Sequence, residues 1–463
     1  MLEGLEFSIV NSMDLERTLR IDAEFYQKEN LHISDVLKLK NALSLTNFVK
    51  ISDGNHMSIS DKFIENGIPY YRGQDIHDYF IENANPICID SDSFHIPYMK
   101  RSHLQKGDVL LSIVGTIGGL SLVYLDKEAT CSCKLAILRP KKDVFPELIA
   151  TFLSSKYGQN QIKKYTRGAV QMGLILEDMD QLLVPVFSEE FQMAIQNCII
   201  SAYNCLEASI KLNKEAENLL LEELALNDWE SENTITIKTF EDYKACGRLD
   251  AEYYQPKYDK IESKIQSYKH WDIMGNHFQQ QKKLCDFSNG YYNYIEIGDI
   301  NVGNGSINYN KIETENLPAN AKYQVENGCI LISKVRPYRG AVAIINLDEK
   351  DLIASSAFTI LCETGKLRKE VLVILMKTSI YKDWLLKWNV GSSYPVIKDE
   401  DVLNLPIPIF PDSIQESIAL KVQESFVLKL KSERLLDLAK ISVETAIEQR
   451  EEQAIKLLNN HAQ

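Results

Sequence analysis

The sequence predicts α/β (α+β) domains in tandem repeat, separated by two long helices that pair antiparallel as a coiled coil, the whole related by an approximate two-fold. Three observations predict it. Arg20-Ile21-Asp22-Ala23-Glu24-Phe25-Tyr26-Gln27 returns as Arg248-Leu249-Asp250-Ala251-Glu252-Tyr253-Tyr254-Gln255, identical at six of eight positions. The stretch from Gly168, GAVQMGLILEDMDQLLVPVF, aligns without a gap on the stretch from Gly391, GSSYPVIKDEDVLNLPIPIF. Each of these blocks then runs into a long segment with coiled-coil spacing.

Shorter matches keep the same order between the two blocks. Asp75-Ile76 answers to Asp299-Ile300, and Gly107-Asp108-Val109-Leu110-Leu111-Ser112 answers to Gly328-Cys329-Ile330-Leu331-Ile332-Ser333. The separation drifts by a few residues, which means loops of differing length between constant elements. At 463 residues the chain also exceeds what one hydrophobic core supports.

Within each copy, short β-rich runs broken by Gly and Pro come first: VLLSIV, LSLVYL and LAILRP, then ILISKV, AVAIINL and FTILCE. One amphipathic helix follows, LIATFLSSKYGQNQIKKY in the first copy and VLVILMKTSIYKDWLLKW in the second. Pro185 and Pro408 stop the next strand-like run just before the long helices. The first long helix, about 189 to 226, carries Phe191, Ile195, Cys198, Ala202, Cys205, Ser209, Leu212 and Ala216 alternately four and three residues apart. The second, about 412 to 455, carries Ile414, Ile418, Lys421, Ser425, Leu428, Ser432, Leu435 and Ala439 in the same rhythm. Pairing of these seams is the expectation; the alternative is that each helix only covers its own domain. The polar segment NDWESENTITIK reads as a linker. The domains are accordingly placed at 1–187 and 229–410, the latter including the linker, with the helices at 188–228 and 411–463.

Composition narrows the class. With 45% apolar and 25% charged residues the chain reads as an ordinary globular protein. It has no run of about twenty apolar residues to span a bilayer, so no membrane association is expected, and its acidic start does not read as a secretory signal. Nine cysteines, an odd number without paired spacing, suit free thiols and a cytoplasmic location. A net charge of −14 opposes tight binding to phosphates, although a local basic cleft is compatible with it.

A tandem of two diverged domains, each followed by a long helix, resembles the DNA-specificity subunits of Type I restriction-modification enzymes. The resemblance rests on R-[IL]-D-A-E-[FY]-Y at the start of each copy, on ILISKVRPYRGAVAI, and on GSSYPVIKDEDVLNLPIPIFP leading into the helix. It covers about residues 15 to 455. It implies two target-recognition domains, each reading one half of a split site in double-stranded DNA, with the helices spacing the half-sites and docking two modification subunits. It further implies motor-nuclease restriction subunits as partners, adenine amino groups as methyl acceptors, and no catalysis in this chain. No cofactor is expected here; the methyl donor and ATP belong to the partner subunits.

Base edges are read by forked or amide side chains on exposed loops, while lysines and hydroxyls hold phosphates. In the second copy Lys334, Arg336, Tyr338 and Arg339 follow a strand within six residues; the alternative is a solvated turn paired with nearby acids. The first copy has Gly115-Thr116-Ile117-Gly118-Gly119 there and lacks the basic turn. Around the glycine turns the candidates are Lys164, Arg167 and Gln171, and Lys387, Ser392, Ser393 and Tyr394, with a plain helix cap as the alternative. Asn55, His56, Arg72 and Gln74 are further candidates in the first copy.

Enzymatic signatures are not found: no Asn-Pro-Pro-Tyr or Asp-Pro-Pro-Tyr, no phosphate loop, and no zinc spacing. Gly303-Asn304-Gly305 reads as a hairpin turn, and Cys131 with Cys133 as structural rather than metal-binding. Two other classes remain: a scaffold without a DNA role, and a self-sufficient methyltransferase with diverged motifs.

Overall fold

The structure, a computed structural model, describes residues 7–11, 15, 20–64, 66–76, 79–81, 86–168, 172–227, 229, 235–303, 305–347, 349–391 and 394–461. The chain forms two compact units, Met1–Leu206 with Lys429–Gln463, and Glu207–Leu428. The division therefore falls within both long helices rather than where the sequence placed their starts.

In the first unit an antiparallel sheet takes the order Val49–Asp53, Leu135–Pro140, Val109–Ser112, Leu120–Leu122. The side-chain period of two explains why its central strands are apolar throughout. Val109, Leu111, Ala136 and Leu138 face a core shared with the helices, while Leu110, Leu135 and Ile137 face a second core with Tyr71 and Cys131. A second sheet, Phe63–Ile64, Ile87–Ile89, Ile68–Tyr71, Thr130–Cys131, supplies that other side. The layers are thus helix, sheet, sheet.

The second unit repeats the strand order of the helix-facing sheet, while its other sheet adds the fourth strand at the opposite edge. Phe278–Gln280, Phe358–Glu363, Ile330–Ser333 and Val342–Ile344 form one sheet. Asn310–Glu313, Tyr291–Ile295, Leu352–Ser355 and Ala321–Gln324 form the other. Alternation again divides the first sheet: Ile330, Ile332 and Leu361 face the helices, whereas Leu331, Phe358 and Ile360 face the opposite core. In each unit the second sheet pairs a central strand in parallel with a neighbour, Tyr70 with Thr130 and Tyr294 with Ile353.

The single amphipathic helix expected in each copy is broken in two. Pro146–Ser154 and Lys156–Tyr165 meet at Ser155, and Lys369–Lys377 and Ser379–Trp384 meet at Thr378. Both residues are extended (φ −70°, ψ 165° and φ −62°, ψ 150°), and each hydroxyl accepts a backbone N–H of the helix that follows. Serine and threonine are the side chains that start a helix in this way, so the apolar periodicity ran across a capped corner.

The long helices span Glu189–Glu223 and Asp412–Glu448. The second ends earlier than expected, and a separate helix, Glu451–His461, buries Ala454 and Leu458 in the first unit. The helix segments pack antiparallel inside each unit. In the first, the Cys198 thiol donates to the Leu435 carbonyl (3.3 Å) and the Ser432 hydroxyl to the Ala202 carbonyl (2.7 Å). In the second, Ser209 and Ser425 share a hydrogen bond of 2.8 Å, and Lys421 pairs with Glu215 at 2.5 Å. Of the predicted seam, Phe191, Ile195, Ile418 and Leu435 are buried, while Leu212, Ile414 and Leu428 are half-buried. Small residues at Ala202, Ser209, Ser425 and Ser432 let the backbones approach until hydroxyls reach carbonyls.

Candidate nucleic-acid interface

The loops carrying most predicted site residues emerge at one end of the sheets of their own unit. In the second unit the strand Ile330–Ser333 leads into a turn that the backbone fastens on both sides. Lys334 N–H donates to Ala357 O (2.9 Å) and Arg336 N–H to Pro395 O (2.8 Å), while Ile397 N–H donates to Lys334 O (3.0 Å). Pro337–Arg339 form one 3-10 turn, and Gly340 closes it at φ 73° beneath Lys382. Pro337 is buried, so the turn is seated, and Tyr338 and Arg339 are exposed. Arg336 is left-handed (φ 48°, ψ 55°), and its guanidinium carbon lies 4.5 Å from the centroid of the exposed Tyr394 ring.

The aligned position in the first unit is Gly115, at φ 87°. Left-handed backbone is free for glycine and costs about 1–2 kcal/mol per residue for an L side chain. Arg336 therefore holds a strained conformation where its counterpart has none.

Lys334 belongs to the fold rather than to a binding surface. Its ammonium pairs with Asp399 at 3.0 Å, and the same carboxylate receives Lys282 (3.2 Å) and the Thr359 hydroxyl (2.8 Å). Burial alone would raise the Asp399 carboxyl, but hydrogen bonds from Lys334, Thr359 and Gln280 overrule it and hold the group at about 2. The paired-turn alternative thus applies to Lys334. Lys387 is likewise occupied, 3.3 Å from Glu262 and 3.8 Å from Asp259. Lys164 is buried, with its ammonium 4.4 Å from the Phe25 ring centroid and 3.3 Å from the Ser34 hydroxyl. For these three lysines a phosphate contact would require breaking internal pairs.

In the first unit the turn Gly73–Asp75 docks on the loop after the strand Val109–Ser112, through the Thr116 hydroxyl to Gly73 O at 3.0 Å. That loop in turn bridges Val114 to Gly173, beside the paired Arg167 and Gly173 backbones. The structure thus brings Arg72, Gln74 and Arg167 together at one rim. Arg72 grips Asp75 with Nε (3.1 Å) and Nη2 (3.2 Å), and Arg167 pairs with Asp178, Nε at 2.8 Å. Gln74 is exposed. Asn55 is buried and its amide closes a local turn, exchanging hydrogen bonds of 2.9 and 3.0 Å with Met57, so it is not available to read a base. His56 is exposed and 2.5 Å from Asp53, which also pairs with Arg101. Gln171, Ser392 and Ser393 lie outside the described residues.

Sequence reasoning missed Lys282, which stands beside the basic turn, and Lys134, exposed in the neighbouring loop of the first unit. Lys282 sat in a legible place, the run Gln279-Gln280-Gln281-Lys282-Lys283 at a strand end. Among the described residues no group of three or more His, Cys, Asp or Glu could hold a metal ion. No described helix is long and apolar enough to cross a membrane.

Comparison with known proteins bears on this geometry. A curated relative, the Type I restriction enzyme EcoBI specificity subunit of Escherichia coli, is 30% identical over 133 residues, 28% of this chain and 28% of the relative. The match therefore spans little more than a quarter of that protein's length. Among solved structures, the Type-I restriction-modification system S subunit from M. genitalium is similar over 90% of this chain and 95% of its own, at 15% identity and a TM-score of 0.37. The HsdS subunit from Thermoanaerobacter tengcongensis is similar over 88% and 96%, at 15% identity and a TM-score of 0.30. The family described as Type I restriction modification DNA specificity domain matches residues 272–437, which hold the basic turn, the Tyr394 loop and much of the second long helix. Residues 272–437 are thus similar to a Type I restriction modification DNA specificity domain, in line with the resemblance read from the sequence, and the strand order of the helix-facing sheet in that region recurs in the first unit.

Proposed function

We propose that the chain as a whole is the DNA-specificity subunit of a Type I restriction-modification complex, and that each repeat reads one half of a bipartite site in double-stranded DNA. The observation that carries this reading is Arg336. It is a fork held in a strained backbone, laid on an exposed tyrosine and followed by an exposed second fork, on a loop of the family-matched domain. Paired forks and aromatics are what major-groove guanine recognition and backbone contact ask for.

The helices set the half-site separation and dock two modification subunits, with restriction motor-nuclease subunits joining in the cytoplasm. The methyl donor and ATP act in those partners, and this chain performs no catalysis. The target adenine has to be flipped out by a modification subunit, since its amino nitrogen is not accessible to transfer inside the duplex.

A scaffold role for the first unit is the second reading. Its rim arginines, Arg72 and Arg167, are paired with Asp75 and Asp178, leaving Gln74 and His56 as its exposed candidates among the described residues. The test is reconstitution of the chain with modification subunits and methylation of a random-sequence library. Methylation confined to one split motif supports the proposal; methylation without sequence preference refutes it. Preference at one half only favours the scaffold reading of the first unit.

A further inference from the structure

In each unit one arginine fastens the segment that opens into the candidate interface loop. Arg20 donates from Nη1 to the carbonyl oxygens of Lys164 (3.2 Å) and Thr166 (3.3 Å), at the end of a helix whose last carbonyls have no partner inside it. Its other edge grips Asp22, Nε to Oδ2 at 2.7 Å and Nη2 to Oδ1 at 2.8 Å. Asp22 in turn accepts the Phe25 N–H at 3.1 Å, and the guanidinium carbon lies 4.8 Å from the Phe25 ring centroid.

Arg248 repeats the device. It grips Asp250 at 2.7 and 2.8 Å, donates to the Asn389 carbonyl at 2.7 Å, and lies 4.8 Å from the Tyr253 ring centroid. Asp250 accepts the Tyr253 N–H at 3.1 Å. Hydrogen bonds from the arginines hold both carboxyls below the usual range. This is the segment in which the two copies agree at six of eight positions.

Beyond the clasped carbonyls the chain enters the glycine turn at once. Arg167 bridges to Gly173 in the first unit, and Val390 bridges to Val396 in the second, on either side of Gly168 (φ 126°) and Gly391 (φ 95°). A cation at a helix C-terminus is favourable in itself. A planar fork bonded along two edges adds orientation as well as attraction. The two arginine side chains are 17% and 23% exposed, so alanine at either position removes packing as well as hydrogen bonds.

We infer that Arg20 and Arg248, with Asp22 and Asp250, are positioning residues for sequence discrimination, each holding the interface loop of its own unit. The inference rests on the proposed DNA-reading role of those loops. Recognition side chains have to be held to within about 0.5 Å of productive geometry, and a loop whose root swings loses discrimination before it loses its fold.

The test uses the complex reconstituted from the full chain and modification subunits, with methylation of a library of half-site variants and thermal melting of each variant. Arg248→Ala is expected to lose discrimination on the order of tenfold at one half-site and leave the other unchanged, and Arg20→Ala the reverse. Arg248→Lys keeps the charge without the fork and is expected to recover discrimination only partly. Equal loss at both halves, or a lowered melting temperature with discrimination intact, overturns the inference. If an alanine variant does not fold, Asp22→Asn and Asp250→Asn loosen the grip while leaving the arginine, and intact discrimination there overturns it equally. A parental complex without sequence preference would instead overturn the DNA-reading proposal.

Discussion

Arg336 holds φ 48° and ψ 55° with its guanidinium over Tyr394, so glycine and alanine at this position perturb different things. Arg336→Gly removes the fork and relieves a left-handed backbone, worth about 1–2 kcal/mol. Against that stand the ring contact, about 0.5–1 kcal/mol because Tyr394 is 59% exposed, and the added freedom of glycine in the unfolded chain, about 0.4–1 kcal/mol. The terms nearly cancel, and stability is expected to change by less than about 1 kcal/mol. Arg336→Ala loses the same fork and keeps the strain, so it should be the less stable of the two by about 1 kcal/mol. Both should lose discrimination equally. If the fork meets a guanine edge the loss is about 1–3 kcal/mol at one position of one half-site. Denaturant melting of the two variants and methylation of half-site libraries by the reconstituted complex provide the two readouts. Equal stability of the glycine and alanine variants would refute the strain argument. Parental discrimination in both would remove the turn from recognition.

Arg339 is exposed on the same turn; if it contacts phosphate, Arg339→Ala should weaken all sequences alike and reduce the salt slope of binding by about 0.9, whereas an unchanged slope with a single altered base preference would assign it to base readout. Asp399, held at about 2 by Lys334, Thr359 and Gln280 despite burial, has a folded pKa below its unfolded one. Its contribution is therefore full above about 4 and lost as pH falls from about 4 to about 2. It amounts to at most about 2 kcal/mol after screening through the half-exposed Lys282. Acid titration of stability should flatten over that window in Asp399→Asn, and an unaltered profile would contradict the assignment. Ile418→Ala, at a fully buried seam position, should destabilise the second unit by about 2–5 kcal/mol. Ser425→Ala, which strips Asn213 and Ser209 of a shared partner, should destabilise it by about 1–3 kcal/mol in denaturant melts. The isolated chain, at −14, should bind DNA weakly at physiological salt because phosphate contacts supply most non-specific affinity; a nanomolar dissociation constant in the absence of partners would contradict this.

What the sequence determined by itself is whatever a period or a repeat encodes. The duplicated Arg20 and Arg248 segments announced two copies, and the four-three rhythm from Phe191 and from Ile414 marked the faces that become buried. The all-apolar runs marked strands covered on both sides, because side-chain direction along a strand or helix is a local property. What only the tertiary structure decided is the fate of each charge. Lys334, Lys387 and Lys164 looked like phosphate ligands, yet their partners stand far away in sequence, at Asp399, at Glu262, and at Phe25 and Ser34. Ser155 and Thr378 divided helices that periodicity joined, because a hydroxyl cap outweighs one more turn of apolar pattern. The strain at Arg336 was equally hidden, since the backbone angle of one residue is set by the contacts that clamp the turn, here Pro395 on Arg336 itself and Ala357 on Lys334, and not by its own side chain. Periodicity is written in the chain, whereas pairing energy belongs to contacts that exist only once the chain has folded.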